Sequence, residues 1–197
     1  MRKVISLALF GDPSQKDGSG QNYHAYLASC VLGYANLFSR GAGWELHVHV
    51  DSRTLEGSYG ERLRRLAEAQ LIHLVPMGEA ILTRAMLWRL APVFEPGIDY
   101  VFPRDIAACP MPRARAVCDI FIARNCAVHT VHDAEAHAGI MGGLCGFQTG
   151  LFREATGLGA LADLYTFARK SDLEWAQHGT DQLVLNRLID RGEGPSL

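Results

Sequence analysis

The sequence predicts an α/β fold, one domain over residues 1–197 with a mostly parallel sheet flanked by helices. Three observations carry that prediction. Short β-like runs alternate with segments whose apolar residues recur at spacings of three and four. The chain starts with a basic head and a largely apolar run of seven, Val4–Phe10, which fits a first strand. Finally, 48% of the 197 residues are hydrophobic and 20% charged. A chain of that size buries roughly 70% of its unfolded surface and folds without a disulfide or metal.

The elements follow in order. After the strand Val4–Phe10 comes a polar loop, 11–21, then a helix from Tyr23 to Phe38, with Tyr26, Leu27, Cys30, Val31, Tyr34 and Leu37 on its apolar face. Glu45–Val50 is a second strand. Glu45, His47, His49 and Asp51 share one face of it, and Leu46, Val48 and Val50 the other. A helix over Tyr59–Ala69 carries Arg62, Arg64 and Arg65, with Ile72–Val75 as a third strand and Ala80–Leu90 as a third helix. Tyr100–Phe102 is a short strand ending in Pro103-Arg104-Asp105. Pro112–Asn125 is helical, its proline suited to the first turn. Cys126–His132 is a strand, Ile140–Gln148 a glycine-rich strand or loop, and Asp181–Ile189 a final helix with Thr180 as its N-cap. No repeat, low-complexity tract or domain linker interrupts the series.

Composition excludes several classes. The net charge of −2 lacks the basic excess of a dedicated nucleic-acid binder, and no apolar stretch reaches the ~18 residues of a membrane span. The run at the start is short for a signal peptide and has no small-residue cleavage site after it. Five cysteines (Cys30, Cys109, Cys118, Cys126, Cys145) without a CxxC pair fit reduced, buried thiols and a cytoplasmic location. Arginine outnumbers lysine by 16 to 3, which suits phosphate and carboxylate binding or follows from genome base composition. No G-x-S-x-G elbow or Walker A sequence occurs.

Four places concentrate polar chemistry. The loop from Gly11 to Gly20 follows the first strand, where open α/β sheets bind ligands; its Gly18-x-Gly20 lacks the third glycine of a dinucleotide turn. A plain surface loop accounts for it equally well. Arg104-Asp105 ends a buried-type strand and offers either a cation and diphosphate site or a structural ion pair. His129, His132, Asp133 and His137 fall within nine residues and suit pocket hydrogen bonds, a zinc site or a solvated surface. His178-Gly179-Thr180-Asp181-Gln182 is a loop-to-helix junction, where an acidic residue answers the helix dipole or serves a site. The pair His47 and His49, on one sheet face, is expected to be solvated or capped by neighbours.

Taken in order, VISLALFGD, Gln21-Asn22-Tyr23, HVHVD, Met86-Leu87-Trp88-Arg89, DYVFPRD, HTVHDAEAH, IMGGLCG and GTDQLVLN form a series. From Val4 to Leu188 it resembles a group of bacterial and viral glycosyltransferase-like proteins of GT-A fold. The resemblance implies a nucleotide-sugar donor, with Mn²⁺ or Mg²⁺ near the fourth-strand aspartate. It assigns donor binding to Gly11, Asp51, Arg89, Arg104, Asp105, Gly142, Gly143 and Gln182, and catalysis to Asp133, His137 and Asp181. Asp105 matches the first acid of the metal-binding pair; the second position is Ala107. A remaining ligand would come from His178. The implied reaction is sugar transfer to an acceptor hydroxyl on a glycan, protein or nucleic acid. A weakened nucleotide-sugar binder and a nucleotide-sugar hydrolase are the alternatives. The chain is short for this family, so the acceptor region is expected to be minimal or supplied by a partner.

Overall fold

A computed structural model describes residues 1–15, 22–108, 110–132, 139–171, 173 and 179–190. Six strands form one sheet in the order β3-β2-β1-β4-β6-β5. They are β1 (Lys3–Leu9), β2 (Trp44–Asp51), β3 (His73–Gly78), β4 (Tyr100–Pro103), β5 (Val128–Thr130) and β6 (Cys145–Gln148). The first four are mutually parallel, and β6 runs antiparallel to both β4 and β5. The helices are α1 (Leu27–Leu37), α2 (Ser52–Glu56), α3 (Ser58–Glu68), α4 (Leu82–Leu87), α5 (Pro112–Arg124), α6 (Thr149–Thr156), α7 (Leu161–Lys170) and α8 (Thr180–Asp190). This is a GT-A-like α/β fold, mostly parallel as the sequence predicts.

The strand register explains the layering. Ile5, Leu7 and Leu9 of β1 lie beside Leu46, Val48 and Val50 of β2, and Ile5 lies beside Phe102 of β4. This face packs on Leu27, Val31 and Tyr34 of α1, Leu63 of α3 and Phe121 of α5. The opposite face presents Val4, Val101, Cys145 and Phe147 to the 3₁₀ segment Trp88–Phe94 and to α6, α7 and α8. β1 is buried along nearly its whole length because both faces are covered, which is why it is apolar without alternation.

The structure corrects several boundaries. The third helix ends at Leu87 and tightens into the 3₁₀ segment Trp88–Phe94. Pro92 lies in that segment and has no N–H to continue an α-helical ladder. The strand expected over Cys126–His132 is only Val128–Thr130, because its partner β6 is four residues long. The first helix opens as a 3₁₀ turn, Tyr23–Tyr26. Three helices were not anticipated. Asp51 caps α2 by accepting from Thr54 N (2.9 Å), Gln148 caps α6, and Asp163 accepts from the backbone at the start of α7. Cys30, Cys118 and Cys145 are buried, but Cys126 is exposed, contrary to expectation; Cys109 lies outside the described residues. No described helix is long and apolar enough to cross a membrane.

Candidate functional site

From β1 the chain crosses to β2 and β3 on one side and returns to β4 on the other. The sheet therefore reverses its winding between β1 and β4, and ligands of open α/β sheets bind beyond the carboxyl ends at such a point. This edge carries Gly11 after β1, Asp51 closing β2, and Arg104-Asp105 after β4. The Trp88–Phe94 segment lies against it: the Phe10 and Trp88 rings meet edge to face at 5.8 Å.

One guanidinium organises the edge. Arg89 Nη1 donates to Asp105 Oδ1, and Arg89 Nη2 donates to Asp181 Oδ2. The Arg89 and Asp181 side chains are 9% and 1% exposed, whereas that of Asp105 is 55% exposed. Burial works to lower the Arg89 pKa, and the two aspartates outweigh it, so the net shift is upward and the charge is permanent. Asp181 Oδ1 is buried with no hydrogen-bond partner among the described residues. Arg89 thus links a buried carboxylate to an exposed one.

Two glycines let the chain close on this bridge. A Cβ on Gly142 would overlap Asp181 and Arg89, and one on Gly143 would overlap the Asp105 carboxylate. Asn186 of α8 holds the approach to this turn by accepting from Ile140 N (2.7 Å) and donating to Ile140 O (3.1 Å). Sequence reasoning missed Asn186. It lies four residues after Gln182, whose carbonyl it also meets, so its place on the helix was the available signal.

The other predicted donor-binding residues separate into two kinds. Asp51 is buried and spends both oxygens on the fold, capping α2 and accepting from Gly11 N (3.0 Å). Gly11 adopts φ +94°, a conformation that favours glycine. Arg104 is also buried: Nη1 donates to Pro103 O and Cys145 O, both at 2.6 Å, and Nη2 points to Cys118 Sγ. Its guanidinium stitches β4 to β6. Gln182 is half-buried on α8, next to Asp181. The structure therefore brings Arg89, Asp105, Gly142, Gly143 and Asp181 into one cluster and turns Arg104 into the sheet. Asp133, His137 and His178 lie outside the described residues. His129 stacks on Phe121 at 5.2 Å, and His132 is exposed.

The resemblance in sequence leads one to expect a divalent cation at this edge. The described residues do not fit one. A hard ion needs about six oxygens. Here the Asp105 and Asp181 carboxylates already share the Arg89 guanidinium, and position 107 is alanine. Arg89 stands where a cation between these carboxylates would stand.

No family model matches the chain, and no curated protein matches it by sequence. Solved structures match its fold. Residues 1–349 of Staphylococcus aureus TarS superpose with a TM-score of 0.60 at 11% identity, over 94% of this chain and 54% of that one. Mouse xyloside xylosyltransferase 1, in its apo form, gives 0.51 at 11% identity, over 97% and 82%. The 4-diphosphocytidyl-2C-methyl-D-erythritol synthase of Anaerococcus prevotii gives 0.51 at 10%, over 98% and 85%. The chain thus spans about half of the TarS segment that it matches.

Proposed function

We propose that the chain is a glycosyltransferase that moves a sugar from a nucleoside-diphosphate donor to an acceptor hydroxyl. The observation that carries this reading is the Asp105–Arg89–Asp181 bridge at the point where the sheet reverses its winding. The fold likeness supports it: one neighbour is by name a xylosyltransferase, and another is a synthase of a diphosphocytidyl compound.

The mechanism follows from the unequal exposure of the two carboxylates. Asp181 is fixed and keeps Arg89 in place. Asp105, on the solvent side, is displaced by the donor's diphosphate, which takes over its hydrogen bonds from Arg89. The bond from the anomeric carbon to the diphosphate oxygen then breaks, and its electron pair leaves with the nucleoside diphosphate. Arg89 stabilises that developing charge in a largely buried setting. The freed Asp105 carboxylate takes the proton of the acceptor hydroxyl as the acceptor oxygen forms the new bond to the anomeric carbon. Gly142 and Gly143, lacking side chains, leave room for the Arg89 bridge beside them.

A second reading, a nucleotide-sugar binder with weakened chemistry, is favoured by Ala107 in the place of a second acid. One assay separates the readings: incubation with UDP-, GDP-, CDP-, ADP- and dTDP-sugars, with analysis of both nucleotide and glycosylated products. A transferase yields nucleoside diphosphate together with a glycosylated acceptor, and a hydrolase yields it with free sugar. Binding without either product establishes the binder.

A further inference from the structure

A second cluster lies mid-sheet, away from the Arg89 bridge. His47 and His49 of β2 were expected to be solvated or capped by neighbours; both are capped, and both are buried, at 1% and 0% exposure, because the Trp88–Phe94 segment covers that face. A ring nitrogen of each and a carboxylate oxygen of Glu95, which follows that segment, lie within 4.8 Å of one another.

Hydrogen bonding fixes both tautomers. His47 Nε2 meets Glu45 Oε2 at 3.0 Å. Arg2 donates to both oxygens of the same carboxylate, so Glu45 accepts and the His47 Nε2–H donates. His49 Nδ1 meets Leu7 O at 3.0 Å, and a carbonyl only accepts, so Nδ1–H donates. The lone pairs that remain are on His47 Nδ1 and His49 Nε2, both buried and without a hydrogen-bond partner. Unpaired buried nitrogens of this kind are costly and call for a ligand.

We propose that His47, His49 and Glu95 form a zinc site. Two neutral imidazoles and one carboxylate make a three-ligand set for Zn²⁺, with a fourth position for water. Imidazoles held by a carboxylate and a backbone carbonyl are the usual outer support of such ligands. Zinc–ligand bonds of about 2.0–2.2 Å bring tetrahedral ligand atoms about 3.3 Å apart, so the three groups close in by up to about 1.5 Å on binding. Glu95 is half-buried and the exposed His73 ring lies 4.6 Å from that of His47, which gives the ion an entry from the β3 edge. The bound ion ties the end of the segment that carries Arg89 to β2. The site is independent of the proposed transferase reaction.

The test is titration of EDTA-stripped, dialysed full-length protein with Zn²⁺ against a chromophoric chelator, and with Co²⁺ followed by its visible absorption. The expected result is one ion per chain, with tetrahedral Co²⁺ bands. Glu95→Gln, on the accessible rim, should weaken Zn²⁺ binding at least tenfold, and Glu45→Gln about 10–100-fold through the lost support of His47. His49→Gln should abolish binding; its far-ultraviolet circular dichroism establishes that it has folded. Zn²⁺ at 100 times its dissociation constant should raise the melting temperature of the wild type by about 5–10 °C. No bound ion, or binding that Glu95→Gln leaves unchanged and Asp105→Asn removes, would overturn the proposal.

Discussion

Arg89 and Asp181 form an ion pair almost closed to water, its side chains 9% and 1% exposed. Asp105 reaches the same guanidinium from the solvent side. A buried charge that loses its partner is far more expensive than an exposed one. The two carboxylates on Arg89 therefore have different consequences when removed.

Arg89→Met leaves the Asp181 carboxylate buried without a counter-charge. It should cost about 3–5 kcal/mol, and adding Asp181→Leu should recover most of that. Urea unfolding of the single and double variants measures both. A loss below about 1 kcal/mol in the single variant would mean that water reaches the pair.

Asp105→Asn should change stability by less than about 1 kcal/mol, since its carboxylate faces solvent. Turnover of the donor should fall about 100-fold or more, with no loss of affinity for the nucleoside diphosphate, because a competitor for Arg89 has been neutralised. Initial rates and calorimetric binding, taken together, check the split. Unchanged turnover would remove Asp105 from the site.

The two glycines should respond differently to alanine. At Gly142 the new methyl meets Asp181 and Arg89, neither of which has room to move, and the cost should be about 1–3 kcal/mol. At Gly143 it meets Asp105, whose carboxylate can swing into solvent. Gly143→Ala should therefore keep most of the stability and lose activity as Asp105→Asn does. Thermal unfolding and initial rates on both variants test this.

Acid should destabilise the fold well before its carboxylates protonate. Burial lowers the His49 pKa from 6.5 to about 3, and it lowers that of His47 as well. The unfolded chain takes up these protons near 6.5 and the folded chain does not. The contribution is therefore complete above about pH 6.5 and is lost as the pH falls towards 3. His49 alone gives a slope of about 1.4 kcal/mol per pH unit below 6.5, or about 2 kcal/mol between pH 7 and pH 5. Urea midpoints in metal-free buffer measure it, and His49→Asn should flatten the slope.

Much of this was legible in the sequence for local reasons. β1 and β4 are apolar runs because both faces are covered, and Arg104-Asp105 and Thr180-Asp181 stand at a strand end and a helix start. What escaped depends on distant segments. An arginine after a strand looks the same in sequence whether it faces a ligand or, as Arg104 does, the carbonyls of a strand 41 residues on. His47 and His49 alternate with apolar residues and so resemble a wet face; the Trp88–Phe94 segment, far along the chain, dries it. The helical periodicity of residues 80–90 ran on past Leu87 because the break is set by Pro92, beyond that window.

The most direct test is thermal melting of the protein in EDTA against UDP, GDP, CDP, ADP and dTDP and their sugar conjugates. One nucleotide class, at about 100 times its dissociation constant, should raise the melting temperature by about 5–10 °C without added Mn²⁺. Asp105→Asn should retain that shift with the free diphosphate. A shift that appears only with Mn²⁺ would contradict the role given to Arg89. The absence of a shift with every nucleotide, with and without the metal, would contradict the transferase itself.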